Sequence, residues 1–224
     1  MTIHLIREVE HLKKMLLELS ALVEDSVWQA VKAIEKRDAA LANQVIDADT
    51  AIDQVEVEIE EECLKVLALH QPVASDLRFL VAVFKMNNDL ERIGDLAVNI
   101  AERAAYLATQ TRMTAPFDFP AMVEKARRML KNSLDALVNE DVNLAREVCA
   151  ADDEVDVLNR KMYELVEKEG QKNPEDLNGL LHLLSASRHL ERVADLATNI
   201  AEDVIYMATG EIVRHRSEDY TAAP

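Results

Sequence analysis

Glycine and proline are scarce in this chain, 4 and 5 of 224 residues, and cysteine is scarcer still at 2. So few glycines scarcely supply a phosphate-cradling loop or a nucleophile elbow, and neither motif is present. Cys63 and Cys149 lie in helical stretches at unrelated positions. They read as small buried hydrophobes in a reducing compartment, not as a disulfide or a metal site. Aromatic residues make up only 4%. With so few breakers and so much Ala, Leu, Val and Glu, the composition describes a soluble, mostly helical protein. Positive charge is also short: 25 Lys and Arg against 42 Asp and Glu leave a formal net charge of -17. Such a surface repels nucleic acid and disfavours direct docking on an anionic membrane unless cations bridge the two. It suits metal cations or a basic partner patch. No apolar run is long enough for a signal peptide or a membrane span, which predicts a cytoplasmic protein.

What the chain does have is a repeat. Residues 90–102 read LERIGDLAVNIAE and residues 190–202 read LERVADLATNIAE, differing only at Ile93/Val193, Gly94/Ala194 and Val98/Thr198. One structural unit is therefore used twice. Upstream, AIEKRDAALA at 33–42 aligns with ALVNEDVNLA at 136–145, an offset of 103 where the later segments differ by 100. The turn before the third helix is accordingly three residues shorter in the second half. Breakers at Pro72, Pro116, Pro120, Gly170, Pro174 and Gly210 divide the chain, and apolar residues recur at helical spacing between them. Met86, Leu90, Ile93, Ala97 and Ile100 form one such face. Helices are predicted over 3–36, 39–69, 73–109, 118–138, 141–169 and 174–209, with Asp38 and Asp141 as N-caps. Long helices on short connections pack antiparallel. The fold class expected is all-α: six helices in two tandem, pseudo-symmetric antiparallel three-helix bundles. Residues 1–112 form the first bundle, 113–215 the second, and 216–224 a disordered tail.

The repeated helix carries an acidic stripe. Glu91, Asp95, Asn99 and Glu102 lie within about 80° of arc, with Ile93, Leu96 and Ile100 on the other side. The second copy is Glu191, Asp195, Asn199 and Glu202. Like charges one turn apart repel by a few tenths of a kcal/mol per pair, and both copies retain that cost. Each preceding helix offers a matching pair, Asp49 and Asp53 in the first half, Asp152 and Asp156 in the second. In an antiparallel hairpin, Asp49 faces Asp95 and Asp53 faces Glu91 by reflection about Pro72. Asp152 faces Asp195 and Asp156 faces Glu191 by reflection about the Asn173–Pro174 junction. Each half therefore presents four carboxylates across one interhelical groove. Without a cation some of them must protonate. The all-oxygen set suits hard ions, Mg²⁺, Mn²⁺, Ca²⁺ or ferric iron. Asn99 and Asn199 add an amide oxygen or orient a bound water. Arg92 and Arg192 flank the stripes and read as salt-bridge partners. None of the histidines, His4, His11, His70, His182, His189 and His215, occupies a repeated position. The paired Glu-x-x-His motifs of di-iron bundles are missing, so no enzyme centre is expected.

The doubled LER[IV]xDLAxNIAE segments, HQPVASDLR at 70–78, the paired acidic motifs and GEIVRH at 210–215 together resemble the PhoU proteins, accessory regulators of phosphate transport. The resemblance runs from about residue 5 to 215 and implies two three-helix bundles. It implies repression of the phosphate-starvation response through two partners, the ATPase subunit of the phosphate ABC transporter and a phosphate-sensing histidine kinase. Membrane association would be peripheral, through those partners, and the chain would form a homodimer. The acidic pairs would hold divalent or ferric metal ions (Fe, Mn, Mg, Ca or Zn) at Asp49, Asp53, Glu91 and Asp95, and at Asp152, Asp156, Glu191 and Asp195. The second half departs from the pattern, with LNG at 177–179 and with Asn159 where the first half has Glu56. Two other classes stay open: a metal-dependent phosphohydrolase, which needs a base or nucleophile beside the metal, and a metal-free helical scaffold.

Overall fold

Aspartate caps start the helices. In the computed structural model, which describes residues 3–111 and 115–213, Asp38 accepts from the backbone N–H of Leu41 at 3.0 Å and opens α2 (Ala39–His70) behind α1 (Ile3–Lys36). Asp141 accepts from Asn143 and Leu144 at 2.9 and 3.1 Å and opens α5 (Val142–Lys172). Asp118 does the same for α4 (Phe119–Asn139) through Ala121. Each cap satisfies amide donors that the first helical turn leaves open. α3 (Ser75–Thr109) and α6 (Leu177–Thr209) complete the set. The six helices match the expected spans closely, and no strand occurs among the described residues. The expected tail at 216–224 lies outside them.

Two helix starts differ from the expectation. α3 begins at Ser75, because Gln71 and Ala74 both take positive φ, 45° and 51°, around Pro72. Before α6, Pro174–Asp176 winds as a 3-10 turn after the single residue Asn173. Between the α-helices both connections are four residues long, 71–74 and 173–176, so the difference of three residues expected in the turn falls in the helices instead: α5 is one residue shorter than α2 and α6 two shorter than α3.

In each bundle every helix touches the other two, and the bundles meet mainly where α3 packs on α6, with α1 on α4 beside them. The inner helices need apolar residues on more than one side for this. Met86, Leu90, Ile93, Ala97 and Ile100 of α3 are fully buried, and so are Val193, Ala197, Ile200 and Val204 of α6. Each Leu, Ile or Val so placed stabilises the fold by about 1.5–3 kcal/mol. Cys63 and Cys149 are both buried, as their setting in the sequence implied; burial pushes the Cys63 thiol up to about 12.

Two arginines tie the ends together. Arg37 donates to the carbonyl of Leu107 near the end of α3, and Arg78 Nε donates to Met207 O near the end of α6 at 3.2 Å. Leu107 and Met207 are equivalent repeat positions, so each inner helix has its open carbonyls met by a cation. Across the α3–α6 seam, Lys85 Nζ reaches the buried carboxylate of Asp203 at 3.1 Å and lies 5.3 Å from the Tyr206 ring. At the opposite end of the seam, Tyr106 stacks on His182 with ring centroids 3.7 Å apart. One Glu-x-x-His spacing does occur, Glu8 with His11. Its glutamate belongs to a surface group in which Lys65 bridges Glu62 at 2.7 Å and Glu8 at 3.9 Å, outside any bundle core.

Candidate functional site

The α2–α3 hairpin closes as the reflection about Pro72 requires, with Gly94 where its helices come close. A methyl group there would stand 3.2 Å from Ile52 Cδ1 and Cγ2 and 3.3 Å from Asp49 Oδ1. The missing side chain lets Asp49 press against α3. That Oδ1 is buried and has no hydrogen-bond partner.

Asp49 is raised from 3.8 to about 6, first by burial and then by the charges of Asp53 and Asp95. Glu91 is raised by burial, then by Asp95, Glu56, Asp53 and Asp49. The four carboxylates named for the first half therefore line one groove and repel one another, although among the described residues no three of them bring oxygens within 4.8 Å of one another. Asn99 turns its amide nitrogen back to the Asp95 carbonyl at 2.8 Å, which leaves the amide oxygen as its ligating atom. Glu102 leaves the stripe and pairs with Arg103 at 3.0 Å.

The α5–α6 hairpin repeats the arrangement with changed partners. Ligand oxygens of Asp156, Glu191 and Asp195 all lie within 4.8 Å of one another. Asp152 stands beside them, raised to about 6 by burial, then by Asp195 and Asp156, while a 3.4 Å hydrogen bond from Thr198 works the other way. Glu191 is raised by burial and by the same two aspartates. Asp195 is raised chiefly by burial, against the pull of Arg192, whose Nη1 donates to Asp195 Oδ2 at 2.7 Å. Arg160 lies 3.9 Å from Asp156. Asn199 is half-buried one turn beyond Asp195. In the first half the equivalent arginine turns away: Arg92 pairs backwards with Asp89 at 3.5 Å.

The groove extends further than the motif. Asn87, buried on α3, donates to both the carbonyl and Oε1 of Glu56 at 3.0 and 3.2 Å. Glu56 is raised by burial, then by Glu60 and Asp53, so it belongs to the same acidic surface. The signal was present: Glu56 falls seven residues after Asp49 and three after Asp53, on one helical face.

These side chains fit a hard cation. The donors are all oxygens, several carboxyls are held above their ordinary range by burial and by one another's charge, and the buried Asp49 Oδ1 has no hydrogen-bond partner. In the first half Asp49, Asp53, Glu91 and Asp95 would hold it; in the second, Asp152, Asp156, Glu191 and Asp195.

Comparison with known proteins agrees with this architecture. The family model of the PhoU domain matches twice, at residues 16–104 and 119–204, one match per bundle. The chain is 37% identical to the phosphate-specific transport system accessory protein PhoU homolog of Aquifex aeolicus, over 95% of this chain and 96% of that one. It is 34% identical to homolog 1 of Thermotoga maritima, over 93% of this chain and 90% of that one. The crystal structure of PhoU from Pseudomonas aeruginosa superposes with a TM-score of 0.88 at 36% identity, covering 92% of this chain and 99% of that one. The phosphate transport system regulatory protein PhoU from Streptococcus pneumoniae superposes at 0.82 and 30% identity, covering 93% and 99%. With both repeats matched and relatives similar along nearly their whole length, the chain belongs to the PhoU family.

Proposed function

We propose that this chain is a cytoplasmic, non-enzymatic regulator that couples the ATPase subunit of a phosphate ABC transporter to a phosphate-sensing histidine kinase and represses the phosphate-starvation response. Membership of a family of transport accessory proteins supports a regulatory role in phosphate homeostasis. The observation that carries the mechanism is the carboxylate groove, built once in each bundle and lacking enough positive charge to balance it. Charge uncompensated in both copies points to cations as structural components. Bound at the α2–α3 and α5–α6 grooves, a divalent or ferric ion would neutralise the facing helices and fix the surface offered to partners. The chain acts as a homodimer and reaches the membrane only through those partners.

Two measurements test this. Deleting the gene should leave phosphate-starvation promoters active in phosphate-rich medium, and the parent sequence should silence them again. Normal repression in the deletion strain would refute the regulatory role. Elemental analysis of protein purified without chelators should find metal in the parent and its loss in Asp95→Ala/Asp195→Ala. Metal absent from both, even after cations are added back, removes the cation from the mechanism.

A further inference from the structure

The two grooves share a motif but not a set of counter-ions. Among the described residues no lysine, arginine or histidine pairs with Asp49, Asp53, Glu91 or Asp95. The arginine beside that stripe, Arg92, is turned one helical turn back, to Asp89 at 3.5 Å. In the second groove Arg192 holds Asp195 at 2.7 Å and Arg160 approaches Asp156 at 3.9 Å. The acids differ as well. The first groove adds Glu56, fixed by Asn87 through two hydrogen bonds, whereas the second has Asn159 in that place.

We propose that the two grooves are unequal cation sites: the first, enlarged by Glu56, binds a divalent cation tightly, and in the second Arg192 occupies part of the position and must be displaced. The proposal rests on the reading of the grooves as cation sites given above. Arg192 acts as a built-in substitute for the ion. Its guanidinium neutralises Asp195, which allows Asp156, Glu191 and Asp195 to draw within 4.8 Å of one another without metal. An incoming cation must break that charge-assisted hydrogen bond and then sit beside the released positive charge, so both effects weaken binding. Glu56 has the opposite effect on the first groove, adding a negative charge and an oxygen donor that Asn87 holds in place. The repeat supplies its own control, since Arg92 and Arg192 occupy the same position of the duplicated motif and differ in where they point.

Manganese(II) titrated into chelator-treated full-length protein tests this, with heat of binding and the paramagnetic signal of the free ion as two readouts. Asp49→Asn/Asp95→Asn leaves only the second groove competent, and Asp152→Asn/Asp195→Asn leaves only the first. The first groove should bind about ten-fold more tightly than the second. Arg192→Gln should tighten the second groove roughly three- to ten-fold, while Arg192→Lys, which keeps the charge, should leave it weak. Arg92→Gln should change the first groove by less than about two-fold. Far-UV ellipticity checks that each variant is folded; Arg192 is half exposed on the surface of α6 and supports no core contact. Equal affinities, or a second groove unmoved or weakened by Arg192→Gln, overturn the inference and leave the cation sites standing. Binding in neither groove removes those sites and the inference with them.

Discussion

Replacing Asp49 and Asp152 together by asparagine should make the metal-free protein more stable at neutral pH. Both aspartates are raised from 3.8 to about 6, chiefly by burial and then by neighbouring carboxylates. The folded state thus binds these protons more tightly than the unfolded chain. Stability is therefore lost as pH rises from about 4 through about 6 and stays at its lower value above that. A shift of that size costs the folded state at most about 3 kcal/mol per group. Both side chains are partly exposed, so solvent screening reduces the figure to about 1 kcal/mol each. Asparagine keeps the shape and removes the charge. The double variant should therefore gain about 2 kcal/mol, which for a domain of this size is about 4–8 °C in Tm. At about pH 4.5 only a third or so of that advantage should survive, because the parent carboxyls are then largely protonated. Thermal unfolding followed by circular dichroism, in chelator-treated samples at pH 7.5 and 4.5, measures both differences. Adding manganese(II) at pH 7.5 should reverse the order, since an ion at one hundred times its Kd stabilises the parent by about 2.7 kcal/mol. A double variant no more stable than the parent at pH 7.5, or a difference that ignores pH, would show that the groove acids are ordinary solvated surface.

Lys85→Met leaves the buried Asp203 carboxylate without the ammonium 3.1 Å away; with Lys85 itself a third exposed, the loss should be roughly 2 kcal/mol by chemical denaturation, and Lys85→Met/Asp203→Asn should recover part of it. Asp141→Ala removes the acceptor for two amides at the start of α5 and should cost about 1 kcal/mol, whereas Asp141→Asn should cost much less. Cys63 and Cys149 are buried, and burial holds the Cys63 thiol near 12; a thiol reagent should label neither in native protein and both after denaturation.

Much of this was legible from spacing. Reflection about Pro72 and about Asn173–Pro174 placed the facing acids correctly, because helical rise is regular and short connections leave little freedom in register. Asp38 and Asp141 announced their caps by residue type and position. The side chains that break the symmetry were less legible. Arg92 and Arg192 stand in near-identical surroundings in the motif, yet one pairs with Asp89 and the other with Asp195. Position 89 holds an aspartate in the first copy and His189 in the second, so Arg192 has no acid one turn back and turns forward instead. Glu56 was legible from its spacing after Asp49 and Asp53 and as the counterpart of Asn159; that Asn87 holds it depends on which residue of α3 comes opposite, a matter of packing. The φ of 51° at Ala74, which delays α3, carries no mark in the residue type at all.

The seam between α3 and α6 also shows what two halves of one chain can do that two identical partners cannot. Had two identical bundles met across this seam, any substitution in one would have appeared in both. A lysine at the position of Lys85 would then have faced the same residue on each side of the axis. In the present chain its counterpart is Ser185, and the counterpart of Asp203 is Arg103. The Lys85–Asp203 pair at one end of the seam, and Tyr106 stacked on His182 at the other, are contacts only a fused pair could acquire independently. Two halves of one chain can differ where identical partners cannot, and the pairing of Arg92 with Asp89 but of Arg192 with Asp195 is a difference of the same kind.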